Sequence, residues 1–354
     1  MSDTISIQSR MRDYAVYFRD NVAADIESAC GERAFFVIDS HVWKLYGNLF
    51  SGMPEERVVV MEPTEENKSL DKSKELIECL VEKRIRKNNA LVAVGGGITQ
   101  DVTAFTASVL YRGIEWKFVP TTLLAQGDSC IGSKTSINLG MNKNLVGNFY
   151  PPSAVFIDLN FLSSLELRDI QSGMGEMMHF FVYAGSPYLE KMVGHYKELI
   201  ADRSKLREYI RESLLIKKSV AEVDEYDKGE RNKFNYGHTF GHALEAISNY
   251  ELRHGQAVTV GMDLANYIAT NYGMMDRDTF GTLHNLLKVN IPQYDYRGIN
   301  MDAYLKALSK DKKNLGNDLV CILAERPGRL VKHRMAMDDR FQALVREYFQ
   351  GVMN

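Results

Sequence analysis

The chain is 354 residues long, 45% hydrophobic and 25% charged, with a formal net charge of −3. That length suits two domains rather than one small core, and the charge balance lacks the basic excess of a nucleic-acid binder. No apolar run reaches the roughly 18 residues of a membrane span.

The opening MSDTISIQSRMRD mixes charges of both signs with no apolar centre, so it does not read as a signal peptide and predicts a cytoplasmic protein. Short apolar runs at Ala34–Asp39, Val58–Met61, Leu91–Val94 and Trp116–Val119 predict strands. The helical spacing of Leu76, Ile77, Leu80, Val81 and Ile85 predicts a helix over 72–87. The alternation is that of an α/β nucleotide-binding domain. From about Asp169 onward helical patterns dominate, over 206–223, 238–247 and 256–272, with a strand candidate at Leu319–Leu323. The expected organisation is a Rossmann-like α/β domain over 1–165 and a mainly helical domain over 166–354, with a cleft between them as the natural site. Cys30, Cys79, Cys130 and Cys321 lie far apart with no CxxC pair, which predicts free thiols rather than disulfides or a cysteine zinc knuckle.

Asp39, ending the first of the longer strands, is placed either to bond a ribose hydroxyl or simply to make the turn in IDS. In VAVGGGITQDVTAF, Gly95, Gly96 and Gly97 follow a strand and precede a helix. There a pyrophosphate could approach the backbone and the helix N-terminus, although a plain tight turn uses the same residues. The polar stretch 120–148 crowds Thr121, Thr122, Asp128, Lys134, Lys143 and Asn144 among small residues, a loop suited to an anion such as phosphate or merely solvated. Glu176 and His179 are three apart, and His238 and His242 four apart, so each pair shares a helical face; His254 follows at another helix start. A carboxylate with clustered imidazoles is a donor set for zinc or a similar ion.

Taken in order, GGGITQD, YRGIEWKFVPTTLLAQGDS, GSKTSINLGMNKNLVGNFYPP, SGMGE, NYGHTFGHALE, HGQAV and DKKNLG resemble the motifs of the dehydroquinate synthase family of sugar phosphate cyclases, over roughly residues 35–330. The resemblance implies a divalent metal, typically zinc with cobalt as an alternative, on Glu176, His238 and His254. It implies NAD lined by Asp39, Glu65, Lys68, Gly95, Gly96, Gly97, Asp101, Thr121, Thr122, Asp128, Lys134 and Lys143. Substrate phosphate would meet Lys134, Asn144 and Lys312 or Lys313, with Arg112 reaching the phosphate of the neighbouring subunit in a homodimer. Lys217 and Arg231 match positions that grip a substrate carboxylate, and Asp128, Asn235 and His242 surround the reacting ring. The family's usual ExxK reads Glu176-Met177-Met178-His179 here, placing an imidazole where a substrate-contacting lysine stands.

The implied reaction is oxidation of a secondary alcohol by NAD, β-elimination of phosphate, re-reduction and intramolecular aldol closure: a phosphate-eliminating carbon–oxygen lyase despite its redox cofactor. The expected substrate is 3-deoxy-arabino-heptulosonate 7-phosphate, because a substrate without a carboxylate would leave two cations unpaired. Sedoheptulose 7-phosphate or an amino analogue in secondary metabolism is the alternative within the family. A metal-dependent polyol or glycerol-phosphate dehydrogenase and a non-catalytic nucleotide-binding descendant are the alternatives outside it.

Overall fold

The computed structural model describes residues 3–22, 33–50, 52–140, 142–310 and 318–353. The chain divides into two compact units, Met1–Leu165 with Lys217–Tyr226, and Glu166–Ile216 with Asp227–Asn354. The first is an α/β unit built on a mostly parallel sheet, and the second is mainly helical, the fold class that the sequence leads one to expect.

The α/β unit contains β1 (Thr4–Ile7), β2 (Tyr14–Phe18), β3 (Ala34–Asp39), α1 (Ser40–Tyr46), β4 (Val58–Met61), α2 (Leu70–Glu82), β5 (Ala90–Gly95), α3 (Gly97–Val109), β6 (Glu115–Pro120), β7 (Lys134–Leu139), β8 (Asn142–Phe149) and β9 (Ala154–Ile157). Seven strands form one sheet in the order β1-β2-β9-β6-β5-β3-β4, parallel throughout except for β1 against β2. Every residue of β3 and β5 is buried, as expected of strands covered on both faces. The chain order reverses between β3 and β5, since β4 lies on one side of β3 and β5 on the other. In a doubly wound sheet the carboxyl ends at such a reversal are where ligands bind. The register pairs Ile38 with Val94 and Gly95 with Pro120, so Asp39, Gly95 and Thr121 emerge at that same end.

Two expectations for this unit need correcting. The helix expected over 72–87 ends at Glu82, because Arg84 takes a left-handed backbone, φ 64°, and turns the chain so that Ile85 is buried. The polar stretch expected to be a loop is largely ordered: 125–129 forms a π turn, and β7 pairs antiparallel with β8. Most of β8 is exposed, so no hydrophobic alternation marks it.

In the helical unit, α4 (Leu167–Ala184), α5 (Tyr188–Gly194), α6 (Tyr196–Ala201) and the first part of α7 (Arg207–Ala221) precede α8 (His238–Ile247), α9 (His254–Asn271), α10 (Arg277–Lys288) and α11 (Met301–Ser309). The hairpin β10–β11 (Asp318–Arg326, Arg329–Ala336) and α12 (Asp339–Glu347) complete it. The end of α7 and the turn after it belong to the first unit, not the second as expected. Their polar tethers explain this. Lys217 pairs with Asp128, Glu222 accepts from Gln8 N–H, and Glu225 accepts from the Ser9 and Ser133 hydroxyls.

Helix α9 is buried on all sides from Gly255 to Ala269, as befits a helix at the centre of a bundle. Glycines let its neighbours approach. A Cβ on Gly255 would stand 1.8 Å from the Ser172 carbonyl oxygen of α4, and one on Gly261 would stand 2.1 Å from that of Gly237, which caps α8.

The buried Asp263 of α9 accepts from Tyr348 Oη at 2.7 Å and lies 2.9 Å from His284 Nδ1 of α10. That hydrogen bond raises the His284 pKa above its ordinary 6.5, against the cost of desolvation. With the folded pKa raised, the pair stabilises fully below about 6.5 and progressively less as pH climbs through the raised value. The stability advantage of the wild type over His284→Gln, read by urea unfolding at about pH 5.5 and about pH 9, should therefore shrink at the higher pH. An advantage that is the same at both would refute the linkage.

Candidate active site

In the helical unit, four consecutive facts of local structure build one cluster. Ser172 and Glu176 lie one turn apart on α4, and Ser172 Oγ accepts from the Gly255 N–H at 2.9 Å, which fixes the first turn of α9. His254 opens that turn, and its Nε2 stands 3.3 Å from Glu176 Oε1. The other carboxylate oxygen, Oε2, lies 3.6 Å from Nε2 of His238, the first residue of α8. His242, one turn on, places its ring centroid 5.4 Å from those of both His238 and His254.

Four-coordinate ligands at about 2.0–2.1 Å from an ion lie roughly 3.3 Å from one another, so the Glu176–His238–His254 set has the spacing of three protein ligands around zinc or a similar ion. The donor atoms of His238, His242 and His254 all lie within 4.8 Å of one another, so His242 too stands within reach of an ion held there. His238 Nδ1 lies 3.2 Å from the Tyr236 carbonyl, which can only accept, so Nδ1 carries the proton and Nε2 presents a lone pair.

His179 is buried, 1% exposed, and packed against the rings of Phe180, Phe234, Tyr236 and His238. Arg231 is likewise buried, in the turn Glu230–Asn235, where Asn235 Nδ2 donates to the Asn232 carbonyl.

The α/β unit gathers a second group. Asp39 caps α1, with Oδ1 accepting from the His41 and Val42 N–H groups, and burial raises its carboxyl above the usual range. It sits beside the glycine turn: a Cβ on Gly95 would meet Thr99 at 2.7 Å and Asp39 at 3.0 Å, and one on Gly96 would meet Thr122 at 3.0 Å. The protein leaves no room for a side chain at Gly95, one at Gly96 would press on the Thr122 methyl, and a Cβ on Gly97 would meet nothing within 4 Å. Gly96 caps α3 without a side-chain hydrogen bond, so the N–H groups of its first turn face outward.

Lys68 Nζ lies 2.6 Å from Asp101 Oδ2 and donates to Asn144 Oδ1 at 2.7 Å. Burial pushes the Asp101 carboxyl up while Lys68 pulls the other way. Ser136 N–H reaches Asp101 Oδ1, Asn138 Nδ2 reaches Glu65 Oε1, and Lys143 Nζ lies 3.6 Å from that same oxygen. Glu65, Lys68, Asp101, Lys143 and Asn144 thus form a single network, completed by Ser136 and Asn138. No local pattern along the chain marks those two, because only the β7–β8 hairpin brings them in.

Lys217 Nζ reaches Asp128 Oδ1 at 2.8 Å and its carbonyl at 2.7 Å. Lys217 therefore already has a counter-charge, and the expectation that it needs a substrate carboxylate for one does not hold. Lys134 begins β7, exposed, and Arg112 is exposed on a turn in which Tyr111, Arg112 and Gly113 all have positive φ. Lys312 and Lys313 lie outside the described residues. Cys79, Cys130 and Cys321 are free thiols, as expected, and Cys30 lies outside the described residues. Burial pushes the Cys130 thiol up to about 12, so it is no thiolate nucleophile. Among the described residues no helix is long and apolar enough to cross a membrane.

Residues 58–172 match the family model described as 3-dehydroquinate synthase N-terminal, and residues 173–314 match its C-terminal counterpart. A 3-dehydroquinate synthase from Campylobacter concisus is 32% identical over 349 residues, 97% of this chain and 99% of that one. The chain belongs to the 3-dehydroquinate synthase family. A second 3-dehydroquinate synthase, from Alkaliphilus metalliredigens, is 34% identical over 307 residues, 85% of this chain and 86% of its own. Among solved structures, a 2-deoxy-scyllo-inosose synthase complexed with carbaglucose-6-phosphate, NAD+ and Co2+ superposes with a TM-score of 0.86 at 27% identity, covering 98% of this chain and 99% of that one. Membership of the 3-dehydroquinate synthase family makes the chain an enzyme of the carbon–oxygen lyase class, a sugar phosphate cyclase.

Proposed function

We propose that this enzyme binds NAD and a divalent metal, zinc or cobalt, and converts 3-deoxy-arabino-heptulosonate 7-phosphate into 3-dehydroquinate with loss of phosphate. The observation that carries the reading is Glu176, whose two oxygens face one imidazole nitrogen each at 3.3 and 3.6 Å, in a chain of this family. Relatives at 32% and 34% identity that carry the name 3-dehydroquinate synthase support the substrate.

When bound, NAD would take and return a hydride and the ion would polarise a substrate carbonyl as a Lewis acid. Glu176, His238 and His254 would hold the ion. Asp39, Gly95, Gly96 and Gly97, with Thr121 and Thr122, stand at the strand ends where the sheet order reverses, and the open side of Gly97 leaves the backbone approachable by a pyrophosphate. Glu65, Lys68, Asp101 and Lys143 would complete that nucleotide site. Lys134 would meet the substrate phosphate with an ammonium and Asn144 with an amide, and Lys312 or Lys313 would add a further cation. Arg112 would reach the phosphate held by the partner in a homodimer. Arg231, with Lys217 held in place by Asp128, would engage the carboxylate, and Asn235 and His242 would line the ring. His179, buried among rings, would act on the substrate only at short range and without a lysine's permanent charge.

A second reading keeps the chemistry and changes the substrate. The 2-deoxy-scyllo-inosose synthase at 27% identity and His179 in the ExxK position both favour a sugar phosphate without a carboxylate.

The metal-loaded protein with NAD should release inorganic phosphate and form a product of the mass of 3-dehydroquinate from the heptulosonate phosphate, with no NADH accumulating. Activity on sedoheptulose 7-phosphate alone would overturn the substrate while leaving the class intact. Accumulation of NADH without phosphate would favour the dehydrogenase reading.

A further inference from the structure

The metal ligands of the proposed site do not stand alone, and one contact behind them has a definite chemical meaning. Glu245 lies on α8 seven residues beyond His238 and three beyond His242, so all three project from one side of that helix. Its Oε2 stands 3.2 Å from Nδ1 of His254, the ring nitrogen away from Glu176. An ionised carboxylate only accepts, so Nδ1 is the protonated nitrogen and Nε2 directs its lone pair at Glu176 Oε1, 3.3 Å away. His238 is oriented in the same way, but by the neutral Tyr236 carbonyl at 3.2 Å.

The two imidazoles are thus held in the same tautomer by acceptors of different charge. A divalent ion on Glu176, His238 and His254 has one negative charge among its three ligands and keeps one net positive charge. A carboxylate on His254 Nδ1 cancels that charge at one remove and raises the basicity of Nε2. Its side chain is only 16% exposed, so solvent screens it little.

We infer that Glu245 is a positioning residue for the metal centre, fixing the tautomer of His254 and tuning its strength as a ligand through the Nδ1 hydrogen bond. The inference rests on the proposed Glu176–His238–His254 site.

The test compares wild type, Glu245→Gln, Glu245→Ala and His254→Ala in full-length protein. Each is stripped of metal and titrated with Co2+ and with Zn2+ against a competing chelator, and the visible absorption of the cobalt form is recorded. Glu245→Ala should weaken metal binding about 10–100-fold. Glu245→Gln, whose amide oxygen still accepts from Nδ1–H but carries no charge, should fall between it and wild type. Both should shift the cobalt band, while the unfolding midpoint of the metal-free Gln variant stays at the wild-type value, a pattern that a merely structural role would not give.

If His254→Ala loses the metal but Glu245→Gln binds it as wild type does with the same cobalt spectrum, the inference is overturned and the site survives. If His254→Ala binds as wild type does, the site itself is wrong and the inference falls with it. Should Glu245→Ala fail to fold, the Gln variant decides alone.

Discussion

Glu176→Gln should leave a folded protein that binds almost no metal and turns over roughly 1,000-fold more slowly, about 4 kcal/mol of lost transition-state stabilisation. Glutamine preserves the shape of a residue that is only 2% exposed within α4, and its amide still reaches the imidazoles. What it removes is the one formal negative charge among the three proposed ligands. The metal-free protein should lose no stability, because replacing a buried carboxylate with a neutral isostere relieves a desolvation cost. Opposite signs for function and for metal-free stability are the signature of a ligand rather than a structural residue. Metal content after dialysis, together with turnover, reads the first, and urea unfolding in chelator reads the second. Undiminished metal content in the variant would sink the assignment of Glu176.

Gly255→Ala should be damaging for a purely steric reason. Its Cβ would fall 1.8 Å from the Ser172 carbonyl oxygen and 2.7 Å from the carbonyl carbon, and these are backbone atoms of α4 that cannot rotate away. Gly175 faces the reciprocal problem, since a Cβ there would lie 2.1 Å from the Gly255 carbonyl oxygen. Accommodating the methyl means separating α4 from α9 near Glu176 and His254. The cost in stability should be about 3 kcal/mol, the upper part of the usual range for overpacking. A misplacement of roughly 1 Å at the ligands should lower turnover about 100-fold in the protein that remains folded. Gly281→Ala is the control: it lies within α10 with nothing within 4 Å of its added Cβ, and should gain roughly 0.5–1 kcal/mol from helix propensity. Equal denaturation midpoints for the two variants would show that the helices yield more easily than their backbone contact implies.

What the sequence disclosed and what it hid follow from physical range. β3, β4, β5 and β6 are legible because strands of a parallel sheet carry short apolar runs, α8 because its apolar positions recur at helical spacing, and α9 because its largely apolar stretch is too long for a strand. β1, TISI, mixes polar with apolar residues and carries no such run, whereas β9, AVFI, is a run as short and as apolar as β4 and could have been read by the same rule.

The site divides in the same way. His238 and His242 announce themselves by spacing, and Glu245 could have been read from the same helix period. Asn138 and Ser136 could not, since strand pairing alone brings them to Glu65 and Asp101. Lys217 was legible as a cation but not as half of a pair: Asp128 is 89 positions away in the chain, and no local rule joins them.

The order of the proposed ligands along the chain decides which of them can meet an ion before the fold forms. His238 and His254 are 16 positions apart, with His242 between them, whereas Glu176 precedes His238 by 62. Closing a loop costs about 0.6 kcal/mol more for each doubling of its length, so in the unfolded chain about two doublings, roughly 1.2 kcal/mol, favour the meeting of the imidazoles around an ion over the arrival of the carboxylate. A metal that also binds the unfolded chain stabilises the folded one by less than its affinity for the native site implies. That binding to the unfolded chain is weak without the carboxylate, so the ion should still raise the unfolding temperature, and the step that the native fold adds is the arrival of Glu176.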